Sequence, residues 1–249
     1  MAITHLLLDI EGTTCPVSFV AEVLFPFARE GLPAFLARHG HTPDVAALVQ
    51  AVEGAWRNDS HPEAQALLTQ AANEADQTAA QRVVPYLQWL IHSDIKLTAL
   101  KDLQGRVWAD GYGNGTITAP LFDDVAEALG RWHRQGMVLA VYSSGSVPAQ
   151  QLLYRHSQHG DLSSLFSHWF DTRIGAKQHT ESYRQIADAM GVKPLQVLFI
   201  SDALPELEAA HGAGMAVLLS DRPGNPNRDS GPFERISDYS QLHPGHGPQ

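Results

Sequence analysis

The sequence predicts an α/β protein: a doubly wound, mostly parallel sheet with a helical segment inserted after the first strand. Four short, almost continuously apolar runs carry this prediction, because strands of a parallel sheet are buried on both faces. The runs are Ile3–Asp9, Met137–Ser143, Gln196–Ser201 and Met215–Ser220. Helical patterns separate the last three, which is the alternation typical of βαβ units.

Three helices are predicted between and after the later strands, at Val147–His156, Thr180–Met190 and Leu204–His211. The second has the clearest ends. Thr180 is a residue type that favours helix starts, and a glycine and a proline follow Met190 as stop signals. Each helix connects one strand to the next, as a parallel sheet requires.

The interval after the first strand lacks strand-like runs and carries broad helical periodicity. We therefore expect residues 17–114 to form a helical insertion, and residues 1–16 and 115–249 to form the α/β core. Within the insertion, Thr78–His92 predicts a helix that Pro85 bends or breaks. The tail 223–249 is rich in Pro, Gly, Asn and Asp; we expect 233–242 to pack and the last seven residues to be loose.

Composition excludes several classes of function. Hydrophobic residues make up 44% of the 249, which predicts a globular fold, and the net charge of -10 with no Lys/Arg block gives no support for binding nucleic acid or a membrane surface. The single cysteine, Cys15, excludes an internal disulfide and fits a reducing compartment. No signal peptide or membrane-length apolar run is recognised, so we expect a cytoplasmic protein.

Polar side chains collect where the predicted strands end. In an open α/β sheet, ligands bind outside the carboxyl ends of the strands, so these side chains are expected to share one site. They are Asp9 and Glu11 after the first strand, Ser143 and Ser144 after the second, Lys177 ahead of a helix, and Asp202 after the third.

This set of side chains indicates phosphate chemistry assisted by a metal. Three carboxylates repel one another unless a cation joins them, and Mg²⁺ suits such a site because it needs only one or two carboxylates and keeps waters. Serine hydroxyls, a lysine and helix N-termini are typical phosphate ligands. One carboxylate would then be available to attack phosphorus and form an aspartyl-phosphate.

The ordered motifs resemble a known superfamily. Asp-x-Glu-Gly-Thr-Thr, a strand ending in Ser, a lysine and a strand ending in Ser-Asp are similar to the haloacid dehalogenase-like hydrolases, whose core is Rossmann-like and whose cap follows the first motif. The segments "DIEGTT", "LQGRVWADGY", "VYSSGSVPAQ", "GDLSSLFSHWFDT", "GAKQHTESY" and "FISDALPELEAA" together resemble the enolase-phosphatases, or acireductone synthases, of methionine salvage. The resemblance covers residues 5 to 220.

The resemblance implies a substrate and a cofactor. Enolase-phosphatases convert 2,3-diketo-5-methylthiopentyl 1-phosphate into an enol phosphate and then remove the phosphate to give the acireductone, with Mg²⁺ as the expected cofactor. We expect this small phosphorylated diketone as the substrate and a monomer as the assembly. Rival interpretations are a phosphatase of the same superfamily for another small ester, a phosphoryl-accepting signalling module, and a dehalogenase, which would leave the extra carboxylates unexplained.

The resemblance also implies residue roles. Asp9 falls on the nucleophile position, and the metal set is Asp9, Glu11 and Asp202. Glu11 stands where many superfamily phosphatases use an aspartate as general acid/base, and its contact with the metal, through side chain or backbone, stays open. Lys177 is the charge-balancing lysine and a substrate contact together with Ser143 and Ser144. One departure, Glu206-Leu207-Glu208 where Glu-Leu-Asp is expected, is interpreted as a peripheral helix change.

Overall fold

The chain divides into two compact units, each with its own apolar core. The computed structural model describes residues 2–73, 76–226 and 228–244. One unit comprises Met1–Val20 and Ile117–Gln249, and the other comprises Ala21–Thr116. The boundaries expected from sequence, before residue 17 and after residue 114, fall four and two residues earlier than these.

The larger unit is built on a six-stranded parallel sheet in the order β3-β2-β1-β4-β5-β6. The strands are β1 (His5–Leu8), β2 (Val138–Tyr142), β3 (Phe166–Phe170), β4 (Val197–Ser201), β5 (Ala216–Ser220) and β6 (Arg235–Ile236). The predicted α/β class with a parallel, doubly wound sheet is confirmed. All four predicted strands are present, with β1 and β4 fully buried.

Two strands escaped prediction for physical reasons. β3 has the sequence FSHWF, and only its first residue is buried, so it lacks the continuous apolar run of a central strand. β6 contains two residues and pairs with β5 at the sheet edge, which is too short for any periodicity to be visible.

The smaller unit is all helical among its described residues. A π-helical turn, Phe19–Leu24, leads into it, and the helices are α1 (Phe25–His39), α2 (Pro43–Arg57), α3 (Pro62–Ala72), α4 (Ala79–Arg82), α5 (Val84–His92) and α6 (Thr98–Gly113). Pro85 does break the predicted helix: α4 ends at Arg82, and the proline occupies the first turn of α5, where its missing N–H costs nothing. Trp56 and Leu87 lie in the unit's core.

Helices of the larger unit cover the sheet. They are α7 (Val125–Arg134), α8 (Val147–Arg155), α9 (Thr180–Ala189) and α10 (Leu204–Gly212). The last three agree with the predicted helices to within one residue at each end. α7 was not predicted, although it buries Val125, Leu129 and Trp132 at helical spacing.

The topology fixes where a ligand site lies. β1 pairs with β2 on one side and β4 on the other, so successive connections run to opposite sides of β1. This is a topological switch point, the place in an open α/β sheet where ligands bind. Leu8 is in register with Ile200, and the Asp9 amide donates to the Ile200 carbonyl at 3.0 Å. The residues after β1 and β4 are therefore neighbours.

The tail packs against this unit rather than leaving it. Trp132 Nε1 donates to the Leu242 carbonyl at 3.0 Å, and the buried Tyr239 hydroxyl donates to the Thr13 carbonyl at 3.0 Å. The prediction that 233–242 packs is confirmed. Of the last seven residues, predicted to be loose, 245–249 lie outside the described residues. Within the described chain, every helix is too short or too polar to cross a membrane.

Candidate active site

Asp9 lies at the point where β1 gives way to a tight turn. The Ile10 carbonyl accepts hydrogen bonds from the amides of Thr13, Thr14 and Cys15 at 2.9–3.1 Å, so the chain reverses immediately after Asp9. The Asp9 side chain is buried, and the Ile10 amide donates to its Oδ1 at 2.8 Å. A carboxylate at the end of a buried strand is thus held in one orientation by its own backbone.

Lys177 joins two carboxylates. Its Nζ lies 2.7 Å from Asp9 Oδ1 and 2.7 Å from Glu206 Oε2, and all three side chains are largely buried. Burial by itself lowers the pKa of the Lys177 ammonium, but the charges of Asp9 and Glu206 outweigh it and raise that pKa. The two carboxylates therefore favour the charged form of Lys177.

Aromatic side chains fix the position of Lys177. Its Nζ lies 5.7 Å from the centre of the Tyr142 ring, and Tyr183 donates from its hydroxyl to the Lys177 carbonyl at 2.7 Å. The Tyr142 hydroxyl donates to the Gly175 carbonyl at 2.9 Å, which ties the lysine loop to β2. Lys177 lies in a loop, and the hydrogen bonds to the Gly175 and Lys177 carbonyls hold that loop in place.

Glu206 belongs to this cluster, and sequence reasoning missed it. It lies in the first turn of α10, and Ser201 Oγ lies 2.9 Å from its Oε2 and 3.2 Å from Asp9 Oδ2. Burial and the negative charge of Asp9 raise the pKa of Glu206, and Lys177 opposes them. The signal in the sequence that could have identified Glu206 is its position four residues after Asp202. Glu208, the actual departure from the family pattern, lies exposed on α10.

Asp202 lies against the turn that follows Asp9. A Cβ placed on Gly12 would fall 2.3 Å from Asp202 Oδ2, and Gly12 has a φ of +68°. A side chain at position 12 would therefore displace the carboxylate. Burial, followed by the charge of Asp9, raises the pKa of Asp202 to about 7, and the nearby Glu11 carboxylate adds to the effect. The charge of Lys177 opposes this effect on Asp202, although Lys177 is itself paired with Asp9 and Glu206.

The acidic residues do not form a ready-made ligand cage. Within 2–73, 76–226 and 228–244, no three His, Cys, Asp or Glu side chains are grouped closely enough to hold a metal by themselves. The donor set nevertheless suits Mg²⁺, which uses one or two carboxylates and keeps several waters. Asp202 is a partly buried carboxylate whose burial raises its pKa, so a cation beside it would stabilise its charge.

The serines predicted to contact phosphate lie at the same edge of the sheet, beyond β2. Ser143 is buried, and its Oγ accepts from the Gly145 amide at 3.2 Å, whereas Ser144 is exposed. Gln150, which the sequence analysis did not single out, holds this loop. Its Nε2 donates to the carbonyls of Gly145 at 2.7 Å and Phe170 at 2.8 Å.

The hydroxyls and thiol of the first turn are enclosed by protein. Thr14 Oγ1 lies 2.7 Å from the hydroxyl of the buried Tyr154. Thr13 Oγ1 is buried with no hydrogen-bond partner within the described chain. Cys15 is fully buried, and burial raises the pKa of its thiol, so it serves as a small core residue and not as a nucleophile.

The fold and the strand-end acids define the class of protein. Residues 3–214 match the haloacid dehalogenase-like hydrolase family, so the chain is a member of this class. CbbY from Rhodobacter sphaeroides, solved in complex with xylulose-(1,5)bisphosphate, shares this fold at 18% identity, with 96% of each chain covered and a TM-score of 0.55.

Curated relatives place the chain within that class. An enolase-phosphatase E1 from Synechococcus sp. strain CC9902 is 50% identical over 91% of this chain and 92% of its own length. One from Synechococcus elongatus is 49% identical, covering 97% and 98%. The solved UTR4 protein of Saccharomyces cerevisiae is 33% identical with a TM-score of 0.77, covering 96% of this chain and all of its own. The chain belongs to the enolase-phosphatase E1 family.

Proposed function

We propose that the protein is an enolase-phosphatase that acts in methionine salvage. It converts 2,3-diketo-5-methylthiopentyl 1-phosphate through an enol phosphate into the acireductone and phosphate, with Mg²⁺ as cofactor. The observation that carries the phosphatase half is Asp9, a buried carboxylate at the switch point of the sheet, paired at 2.7 Å with the buried Lys177. The enolase half rests on the family relationship.

Phosphate removal is assigned to Asp9 as nucleophile. Its carboxylate attacks phosphorus, the bond from phosphorus to the ester oxygen breaks, and that oxygen takes a proton from solvent as the enol product leaves. Water then hydrolyses the aspartyl-phosphate and regenerates Asp9. Lys177 opposes the negative charge of the phosphoryl group, and Ser143 and Ser144 contribute hydroxyls to substrate binding.

The proposed cation ligands are Asp9, Glu11 and Asp202. Their fit to Mg²⁺ is supported by the position of Asp202, a partly buried carboxylate that lies against the Gly12 turn, and by the burial that raises its pKa. When bound there, Mg²⁺ supplies positive charge against the phosphate and an enolate oxygen. Glu11 has two candidate roles, cation ligand and proton carrier, which the variant described below separates.

The smaller unit, Ala21–Thr116, is proposed as the cap of this family, because it is inserted between the Asp9 turn and β2 and folds around its own core. A monomeric assembly and a cytoplasmic location are also proposals, the latter supported by a single buried cysteine.

The deciding experiment is a turnover assay with the diketone phosphate that follows enol absorbance and free phosphate together. Asp9→Asn is expected to lower phosphate release by at least about a thousandfold, because the nucleophile is lost. Asp188→Asn, an exposed acid on α9, is the matched control and should retain full activity. Near-wild-type turnover by Asp9→Asn would exclude Asp9 as the nucleophile.

The same assay separates the rival functions. A phosphatase for another ester releases phosphate from small phosphate esters but forms no enol from the diketone, and a signalling module accumulates a long-lived aspartyl-phosphate without turnover. Glu11→Gln is expected to slow enol formation. If Mg²⁺ affinity falls in parallel, the Glu11 side chain is a cation ligand; if affinity is unchanged, the side chain carries the proton and any contact of Glu11 with the cation is through its backbone.

A further inference from the structure

Asn225 lies in the segment after β5 and reaches the turn that follows Asp9. Its side chain is 9% exposed. Its Nδ2 donates to the carbonyls of Gly12 at 3.0 Å and Ser220 at 2.9 Å. Two carbonyl oxygens can only accept, so the amide NH2 must face them. This settles the orientation of the amide and leaves Asn225 Oδ1 pointing the other way.

Asn225 Oδ1 and an oxygen of Asp202 lie close to the same point beside Gly12. A Cβ built on Gly12 would lie 2.8 Å from Asn225 Oδ1 and 2.3 Å from Asp202 Oδ2, so both oxygens lie within 2.8 Å of one point. Asn225 Oδ1 is buried and has no hydrogen-bond partner among the residues that the structure describes. Both oxygens are acceptors once Asp202 is ionised, so a donor or a cation between them is needed to offset their desolvation.

Two basic side chains of this region, Lys177 and Arg222, already have acidic partners. Lys177 is bound to Asp9 and Glu206, and Arg222 is bound to Asp124 at 2.8 Å and to the Ser237 carbonyl. A hydrated divalent cation bound to Asp202 would supply the missing donor, because Mg²⁺ keeps waters and each water donates two hydrogen bonds.

We propose that Asn225 is a positioning residue of the cation site: its Oδ1 accepts a hydrogen bond from a water of the Mg²⁺ that Asp202 holds, while its NH2 clamps the Gly12 turn. The inference rests on the Mg²⁺ site of the proposed function. It explains why an amide occupies the position. Aspartate could not donate to the two carbonyls, and leucine could not accept from a water.

The test measures Mg²⁺ binding directly, by isothermal titration calorimetry of MgCl₂ into metal-depleted full-length protein. Asn225→Ala is expected to weaken Mg²⁺ binding at least tenfold. Asn225→Asp, which keeps an oxygen beside Asp202, is expected to bind Mg²⁺ more tightly than Asn225→Ala. The melting temperature of each variant without Mg²⁺ checks folding; if Asn225→Ala does not fold, Asn225→Leu takes its place with the same expectation.

Tyr239→Phe is the matched control. The Tyr239 hydroxyl also holds this turn, through the Thr13 carbonyl, but Tyr239 has no proposed contact with Asp202 or the cation. Its Mg²⁺ affinity should stay within about twofold of the wild type. Equal weakening in Tyr239→Phe and Asn225→Ala would assign the effect to the turn and overturn the proposal, as would an unchanged affinity in Asn225→Ala. Wild-type protein that binds no Mg²⁺ would instead remove the cofactor from the proposed function itself, and this inference with it.

Discussion

Charge balance at single residues dominates the candidate site. Asp9 and Glu206 share one ammonium group, Lys177, at 2.7 Å each, and the charge of Lys177 also lowers the pKa of Asp202. Buried ion pairs contribute little net stability when they are intact, because desolvation offsets most of the attraction. Their removal is costly, since the charge left behind stays buried without a partner. The cluster therefore holds the Asp9 carboxylate in place, but it tolerates substitution of its members poorly.

Lys177→Met tests this balance. It leaves two buried carboxylates without their cation, so we expect the free energy of unfolding to fall by about 3–5 kcal/mol. Urea denaturation of the metal-free protein at pH 8 measures the change. Arg184→Met, which removes the exposed Arg184–Glu181 pair, should cost at most about 0.5 kcal/mol. Equal costs for the two variants would contradict a buried, charge-balancing lysine.

At Gly12, both the backbone conformation and the close approach of Asp202 favour glycine. Its φ of +68° strains any side chain, and a Cβ would fall 2.3 Å from Asp202 Oδ2. Gly191 has a similar φ of +72° with open space around its Cβ position, which makes Gly191→Ala the control. Gly191→Ala should cost about 1–2 kcal/mol from φ alone.

Gly12→Ala should cost at least about 1 kcal/mol more than Gly191→Ala, because overpacking adds to the strain. Only Gly12→Ala should weaken Mg²⁺ binding, since only it displaces Asp202. Urea denaturation and Mg²⁺ titration of both variants measure these effects. The assignment of Asp202 to the cation site fails if Gly12→Ala binds Mg²⁺ as tightly as Gly191→Ala does.

At the scale of elements, β1 is the centre of the larger unit. Its four residues are buried, it pairs with β2 and β4, and Leu7 lies in a core cluster with Tyr142 and Phe199. Leu7→Ala is expected to lower the free energy of unfolding by about 2–5 kcal/mol through lost burial and a residual cavity. Leu195→Ala, 44% exposed between α9 and β4, should change it by less than about 0.5 kcal/mol. Denaturant titration distinguishes the two; a similar loss in both would argue against the central position of β1.

Elements differed in how visible they were in the sequence. β1, β2 and β4 were predicted because burial of central parallel strands leaves a continuous apolar run. β5 was predicted from its apolar sequence, although only its last two residues are buried. β3 and β6 were missed, since β3 is mostly half-buried or exposed and β6 has two residues. The break at Pro85 was visible because it follows from the local chemistry of proline.

At the scale of the whole molecule, six strands of one sheet bring together residues far apart in the chain. The Lys177–Asp9 bond spans 168 positions, and the Asn225–Gly12 bond spans 213. The switch point beside β1 produces this convergence, because connections leave β1 in both directions and their polar ends meet at one edge. A global property of the topology thus concentrates acidic groups where a cation is needed.

Removal of Mg²⁺ tests the molecule at this scale. EDTA is expected to stop both enol formation and phosphate release, because the acidic site then lacks the charge that opposes substrate phosphate. Excess Mg²⁺ should restore both activities, and circular dichroism should show the fold retained throughout. Enol formation that continues in EDTA would assign the cation to phosphate release alone.

The sequence by itself determined the fold class, the four central strands, the helices α8, α9 and α10, and the polar residues that follow the predicted strands. These follow from local chemistry: apolar runs, helix stop signals and the rule that ligands bind at strand ends. Only the tertiary structure decided that Glu206 shares Lys177 with Asp9, that Asp202 lies against Gly12 and that Asn225 reaches the same turn. Such contacts depend on strand order and register, and a sequence pattern does not specify which distant side chains those bring together.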